Sequence, residues 1–184
     1  MMKMKKNDGF TLIELLVVIG IIGILAAVIV TNYSNAQKQA RDSSRKASVE
    51  TLASAFAMYK ADNKTYNLTG KGCGYSTGDG NGWVNFSDND PARPISIGTY
   101  LKNNGYLSAP LIDPRCDGET DTSCVVNSTR YDYMTFNNCT GSVLASIYAR
   151  LELPSDGDTA AVPAGCNGTM IPTSEGMNYV RDLN

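Results

Sequence analysis

The 184-residue chain contains no histidine. That absence removes the commonest general base and the commonest metal ligand together. Serine is plentiful, but a Ser-His-Asp triad cannot be built without the imidazole. Basic residues thin out along the chain: from Lys64 to Asn184 there are 8 Lys/Arg against 13 Asp/Glu. So acidic a segment argues against nucleic acid as a partner, because phosphate binding needs clustered cations. None of the five cysteines, Cys73, Cys116, Cys124, Cys139 and Cys166, stands in C-x-x-C spacing, which leaves zinc or thioredoxin-like chemistry without support. Proline and glycine are both missing between residues 24 and 69, so nothing there interrupts a helix.

What the chain does have is an unusual beginning. Lys3, Lys5 and Lys6 precede an apolar run, and positive charge in that place holds the start of a chain in the cytoplasm. From Phe10 to Val30 the only charge is Glu14. A helix over that run, at about 1.5 Å per residue, spans a hydrocarbon core of about 30 Å. A secretory signal would be cut after the run, where Ala26-Ala27 offers small residues. The apolar run instead merges with a long helical pattern, which favours a cut before it, at Gly9-Phe10. A plain N-terminal anchor is the simpler alternative. Glu14 weighs against it, since a carboxylate in an apolar layer costs about 2.5 kcal/mol or more. The first turn of a helix starting at Phe10 suits negative charge. A free Phe10 amine would give Glu14 a partner, and in an array that amine can belong to a neighbouring subunit.

Beyond Val30 the pattern turns amphipathic. Val49, Leu52, Ala53, Phe56 and Tyr59 trace one helical face, while Lys38, Arg41, Asp42, Arg45, Lys46 and Glu50 fill the others. The expectation is one helix from about Phe10 to about Asp62, with the Arg41–Lys46 charges on a solvated face and the apolar stripe covered by a sheet. Gly20 and Gly23 are weak helix formers that permit local melting or close helix approach. Residues 69–90 are turn-rich, with Trp83 and Phe86 expected to anchor them. A short helix or turn is expected over 95–106. Arg130–Phe136 and Ser142–Glu152 alternate as strands do, the second as a half-buried strand, and Asn137–Gly141 between them suggests a hairpin. Met177–Leu183 offers a further strand. A long helix followed by an antiparallel sheet makes the fold class α+β.

Five cysteines in a loop-rich region are expected to form disulfides outside the cytoplasm. Cys116 and Cys124, separated by seven residues, are the first expected pair; Cys139 with Cys166 is the second, leaving Cys73 over, although spacing alone leaves the connectivity open. Asp117-x-Glu119-x-Asp121 offers carboxylate oxygens of the kind Ca²⁺ takes, but without the trailing ligand and glycine of an EF-hand. The plainer expectation there is a solvated acidic loop, with no metal or cofactor.

Gly9-Phe10-Thr11-Leu12-Ile13-Glu14-Leu15-Leu16-Val17-Val18-Ile19, with Ile21-Ile22-Gly23-Ile24-Leu25-Ala26-Ala27 after it, closely resembles the N-terminus of bacterial type IV prepilins and type II secretion pseudopilins. The resemblance implies cleavage between Gly9 and Phe10 by a prepilin peptidase, N-methylation of Phe10, and pairing of Glu14 with the Phe10 amine of an adjacent subunit. Many type IV pilins carry a proline shortly after the Ala-Ala pair; Thr31 stands there in this chain, so that bend is not expected. The implied organisation is a leader over 1–9, a membrane and filament-core helix over 10–30, its amphipathic continuation over 31–63, and an α+β head over 64–184. The implied function is a structural pilin, not an enzyme, that starts in the cytoplasmic membrane and ends in a homo-oligomeric helical surface filament. A type II secretion pseudopilin is the alternative within the family. A membrane-anchored binding domain that never polymerises is the alternative outside it.

Overall fold

A computed structural model describes residues 10–68, 82–84, 95–109, 111–116, 124–126, 129–131, 133–136, 145–158 and 176–184. The chain forms two compact units, Met1–Lys38 and Gln39–Asn184. Helix α1 covers Leu12–Asn63 without a break, as the lack of proline and the scarcity of glycine require. It ends where Lys64 enters the left-handed region, at φ 62°, and returns its N–H to the Lys60 carbonyl at 2.8 Å. The Asn63 side chain donates to the Tyr59 carbonyl at 3.0 Å, satisfying another acceptor of the last turn.

In the first unit, the large apolar side chains described between Phe10 and Ile29 are exposed, and the stretch is long and apolar enough to cross a membrane. The second unit buries the other part of α1. Val49, Leu52, Phe56 and Tyr59 pack against helix α2, Ile97–Asn103, and against one face of a four-stranded antiparallel sheet. Ser96 caps α2, accepting the Thr99 N–H at 3.2 Å. Tyr59 meets Tyr100 and Tyr106 edge-on, with ring centroids 6.2 and 5.6 Å away, which ties the end of α1 to α2 and the chain after it.

The strands are β1, Gly82–Trp83; β2, Cys124–Val126; β3, Thr129–Tyr131; β4, Met134–Phe136; β5, Ala145–Ala149; and β6, Tyr179–Leu183. The main sheet runs β1-β4-β5-β6, while β2 and β3 pair separately. Met134 lies opposite Tyr148 and Phe136 opposite Ser146, the expected hairpin pairing. The strand-like stretch over 130–136 divides between β3 and β4. Trp83 is buried as expected; Phe86 lies outside the described residues.

One expectation is corrected. The alternation over 142–152 suggested a half-buried strand, but all five residues of β5 are buried. Ala145, Ile147 and Ala149 face the α1 side, while Tyr148 joins Trp83, Met134, Phe136 and Met177 in a second apolar cluster. Two residues distant in sequence, Trp83 and Met177, therefore cover what a lone strand shows as its polar face. Ser146 is tolerated there because it donates to Asp182 at 2.7 Å. Burial pushes the Tyr148 hydroxyl pKa up to about 12. Near this cluster Gly176 has φ +74°, and a Cβ on it would run into the Arg150 guanidinium, so only glycine fits without rearrangement.

Burial on both faces sets an expected outcome. Tyr148→Ala should destabilise the protein as severely as Ile147→Ala, each by about 2–5 kcal/mol in denaturant unfolding followed by circular dichroism. A cost below about 1 kcal/mol for Tyr148→Ala would contradict the second buried face.

Candidate functional site

Two groups of polar residues stand out, one in each unit. The first is at the start of α1. Thr11 and Glu14 form a reciprocal cap: the Thr11 N–H and hydroxyl both donate to Glu14 Oε2 at 2.8 Å, and the Glu14 N–H donates to Thr11 Oγ1 at 3.3 Å. This is the capping-box pattern Thr-x-x-Glu ahead of an apolar run, and it satisfies donors that a helix start leaves open. The single carboxylate of the apolar segment thus has partners within its own chain. The Thr11-x-x-Glu14 spacing that carries the cap is legible in the sequence beside the first-turn glutamate. Phe10 is exposed, and Gly9 lies outside the described residues.

The second group is a buried charge clamp between α1 and the chain that covers it. Arg45 is fully buried. Its guanidinium takes Asp113 in a two-bond fork, Nε to Oδ2 at 2.7 Å and Nη2 to Oδ1 at 2.9 Å. Its Nη1 donates to Asp42 at 2.7 Å and to Glu152 at 3.0 Å. Glu152 also takes Arg41, at 2.6 and 2.9 Å, and pairs with Arg115 at 3.2 Å. Asp42 further accepts the backbone N–H of Glu152 and of Leu153, the latter at 2.8 Å. Among the described residues three arginines and three carboxylates therefore meet, and the planar fork suits the carboxylate geometry.

The expected solvated face over Arg41–Lys46 is thereby corrected. Arg45 and Asp42 are buried, Arg41 is largely covered, and Lys46, the most exposed of the four, pairs with Asp158 at 2.7 Å beside the Tyr179 ring. The missed signal was the spacing: residues 42, 45, 49, 52, 56 and 59 follow one another at three and four, so Asp42 and Arg45 extend the apolar stripe rather than oppose it.

Burial works against the charge on Arg45, but Asp113 above all, then Glu152 and Asp42, raise its pKa overall. The Arg41 hydrogen bonds, outweighing partial burial and aided by Arg45 and Arg115, hold Glu152 down to about 2 from the ordinary 4.5. Asp158 is likewise lowered: desolvation opposes its charge, and Lys46 with Ser155 overcomes it. The clamp orders structure; it presents no nucleophile beside a base.

Of the remaining expected site residues, Cys116 is disulfide-bonded. Cys124 lies in β2, and its side chain, like Cys139, Cys166 and the acidic trio Asp117, Glu119 and Asp121, falls outside the described residues. Among the described residues no group of three potential ligands could hold a metal ion.

A helix that is apolar and exposed over its first turns, and that farther on packs on a small antiparallel sheet, is the pilin-like α+β fold. Comparison with known proteins agrees. The prokaryotic N-terminal methylation motif matches residues 4–30. The chain is 41% identical over 71 residues to type II secretion system core protein G of Pseudomonas aeruginosa, covering 39% of this chain and 50% of that protein. It is 46% identical over 63 residues to the type IV wide pilus major component PilA4 of Thermus thermophilus, covering 34% and 48%. The chain thus spans about half the length of the curated relatives it matches, and no solved structure matches it. The N-terminal segment is thus similar to that of a type IV pilus component and of type II secretion core proteins.

The clamp predicts an acid-labile unit. Because the folded-state pKa of Glu152 lies below its unfolded value, its contribution is full above about pH 4.5 and is lost as pH falls toward about 2. Thermal unfolding followed by circular dichroism should show the midpoint falling through that window, and Glu152→Gln should flatten the dependence. Arg45→Ala, which takes the cation from Asp42 and Asp113, should cost about 3–5 kcal/mol at neutral pH. A loss below about 1 kcal/mol would show that the pairs add nothing beyond surface ion pairs.

Proposed function

We propose that this chain is a structural pilin that polymerises through its apolar N-terminal helix into a type IV pilus-like surface filament. The observation that carries the reading is a single carboxylate, Glu14, held at the cap of an exposed apolar helix within the matched methylation motif. In this reading a prepilin peptidase cuts between Gly9 and Phe10 and methylates Phe10. The precursor rests in the cytoplasmic membrane through residues 10–30, and Glu14 exchanges its own cap for the Phe10 amine of a neighbour on assembly. Residues 31–63 continue the helix into a head over 64–184. The heads are closed by disulfides, Cys116 with Cys124 and Cys139 with Cys166. The stretch with Asp117, Glu119 and Asp121 works in this reading as an acidic loop without a metal, and Ca²⁺ titration calorimetry tests it against cation binding. The similarity to core protein G supports a second reading, a pseudopilin of a type II secretion system. Electron microscopy of cells with and without the gene separates the two, since long surface filaments belong to the first.

Processing and assembly can be tested together. Mass spectrometry of extracellular protein should find a mature chain starting at Phe10; a start after Ala27 would end the pilin reading. Glu14→Gln retains a capping-box partner but no charge, whereas Glu14→Ala loses both. If the intersubunit charge pair drives assembly, both variants should insert and be cleaved normally, and both should fail to yield sheared filaments. Filaments from Glu14→Gln at wild-type yield would assign Glu14 to helix capping alone.

A further inference from the structure

The turn that feeds the clamp ends on a covalent bridge. Asp113-Pro114-Arg115-Cys116 is a tight turn in which the Cys116 N–H returns to the Asp113 carbonyl at 2.8 Å. Pro114 at its second position has its φ set by the ring, which suits such a turn. The Asp113 carboxylate accepts the Arg115 N–H at 2.9 Å while it holds the Arg45 fork. Arg115 then reaches Glu152. Four consecutive residues thus carry two prongs of the clamp, and the fourth is disulfide-bonded. Leu111, just ahead of the turn, packs on the apolar core. The turn is therefore held on one side by burial and on the other by the bridge.

We propose that the Cys116 disulfide is a redox lock on the Arg45 clamp. Oxidised, it fixes the turn so that Asp113 and Arg115 meet Arg45 and Glu152 together. Reduced, it frees the end of the turn and loosens the hold of residues 151–153 on α1, while the apolar core stays packed. Reduction by a dithiol converts the disulfide to two thiols with two electrons and two protons, and the dithiol closes to its own cyclic disulfide. Nothing in this lock depends on polymerisation. It concerns how one subunit secures its own helix once it has reached an oxidising compartment.

The two halves of the lock are far apart in sequence, which makes the coupling measurable. Amide exchange of the full chain in detergent, with and without dithiothreitol, reads both. The Arg115 and Cys116 amides report the turn, and the Glu152 and Leu153 amides, which bond to Asp42, report the far side. Reduction should speed all four on the order of tenfold, within the usual range of such couplings, and leave the Val84 and Gly98 amides of the core unchanged. Cys116→Ser should show the same faster exchange without reductant and no further change with it. Because coupling is reciprocal, Arg45→Met should lower the dithiothreitol concentration that half-reduces Cys116 by a similar factor. Unchanged Glu152 and Leu153 exchange on reduction would overturn the proposal. So would a uniform rise that includes Val84 and Gly98, because the bridge would then hold the whole unit. A reductant response persisting in Cys116→Ser would assign the effect to another disulfide and overturn it as well.

Discussion

A guanidinium with no access to water must be neutralised by the protein, and Arg45 imposes that demand on everything around it. Asp42 comes from the preceding turn of α1, Asp113 from the turn after α2, and Glu152 from the segment after β5. Each partner is fixed in turn: Asp113 by the Arg115 amide, Asp42 by the Glu152 and Leu153 amides, Glu152 by Arg41 and Arg115. The three segments are thereby obliged to converge on one stretch of helix. Apolar packing of Val49, Leu52, Phe56 and Tyr59 brings them near, and the ion cluster fixes where they stop.

The other unit solves the opposite problem. Its described large apolar side chains are exposed within the chain, and Glu14, the one carboxylate in the apolar run from Phe10 to Val30, is met by the hydroxyl and N–H of Thr11. Such local hydrogen bonding lowers the penalty of holding a polar group in an apolar layer. One helix therefore carries two regimes, a first unit whose described apolar side chains stay exposed and a second in which its stripe is covered by its own chain.

Much of this was legible in the residues. The helix was readable because neither proline nor glycine interrupts residues 24–63, and its end was readable in Asn63-Lys64. The β4–β5 hairpin, α2, β6 and the burial of Trp83 followed from period, turn residues and aromatic content. Two features were hidden for a shared reason: each depends on residues far away in sequence. Tyr148 reads as the polar side of a strand until Trp83 and Met177 cover it. Arg45 reads as a surface charge until Asp113 and Glu152, 68 and 107 residues downstream, arrive to meet it. Periodicity reports which residues share a face, and it cannot report which charges on that face will be matched.

The forked bond between Arg45 and Asp113 also sets a phase. An apolar stripe is non-directional, and a helix resting on it can roll or slide by a turn while keeping much of its contact. A guanidinium locked edge-on to a carboxylate allows no such slack, because one residue of slip turns the helix by about 100° and brings Ser44 or Lys46 to the place of Arg45. Neither has a planar fork to offer. The clamp therefore acts as a key to the rotational setting of residues 39–63 within their unit. Inserting or deleting a single residue between Arg45 and Val49 would set that key against the hydrophobic grip, so that only one of the two could engage.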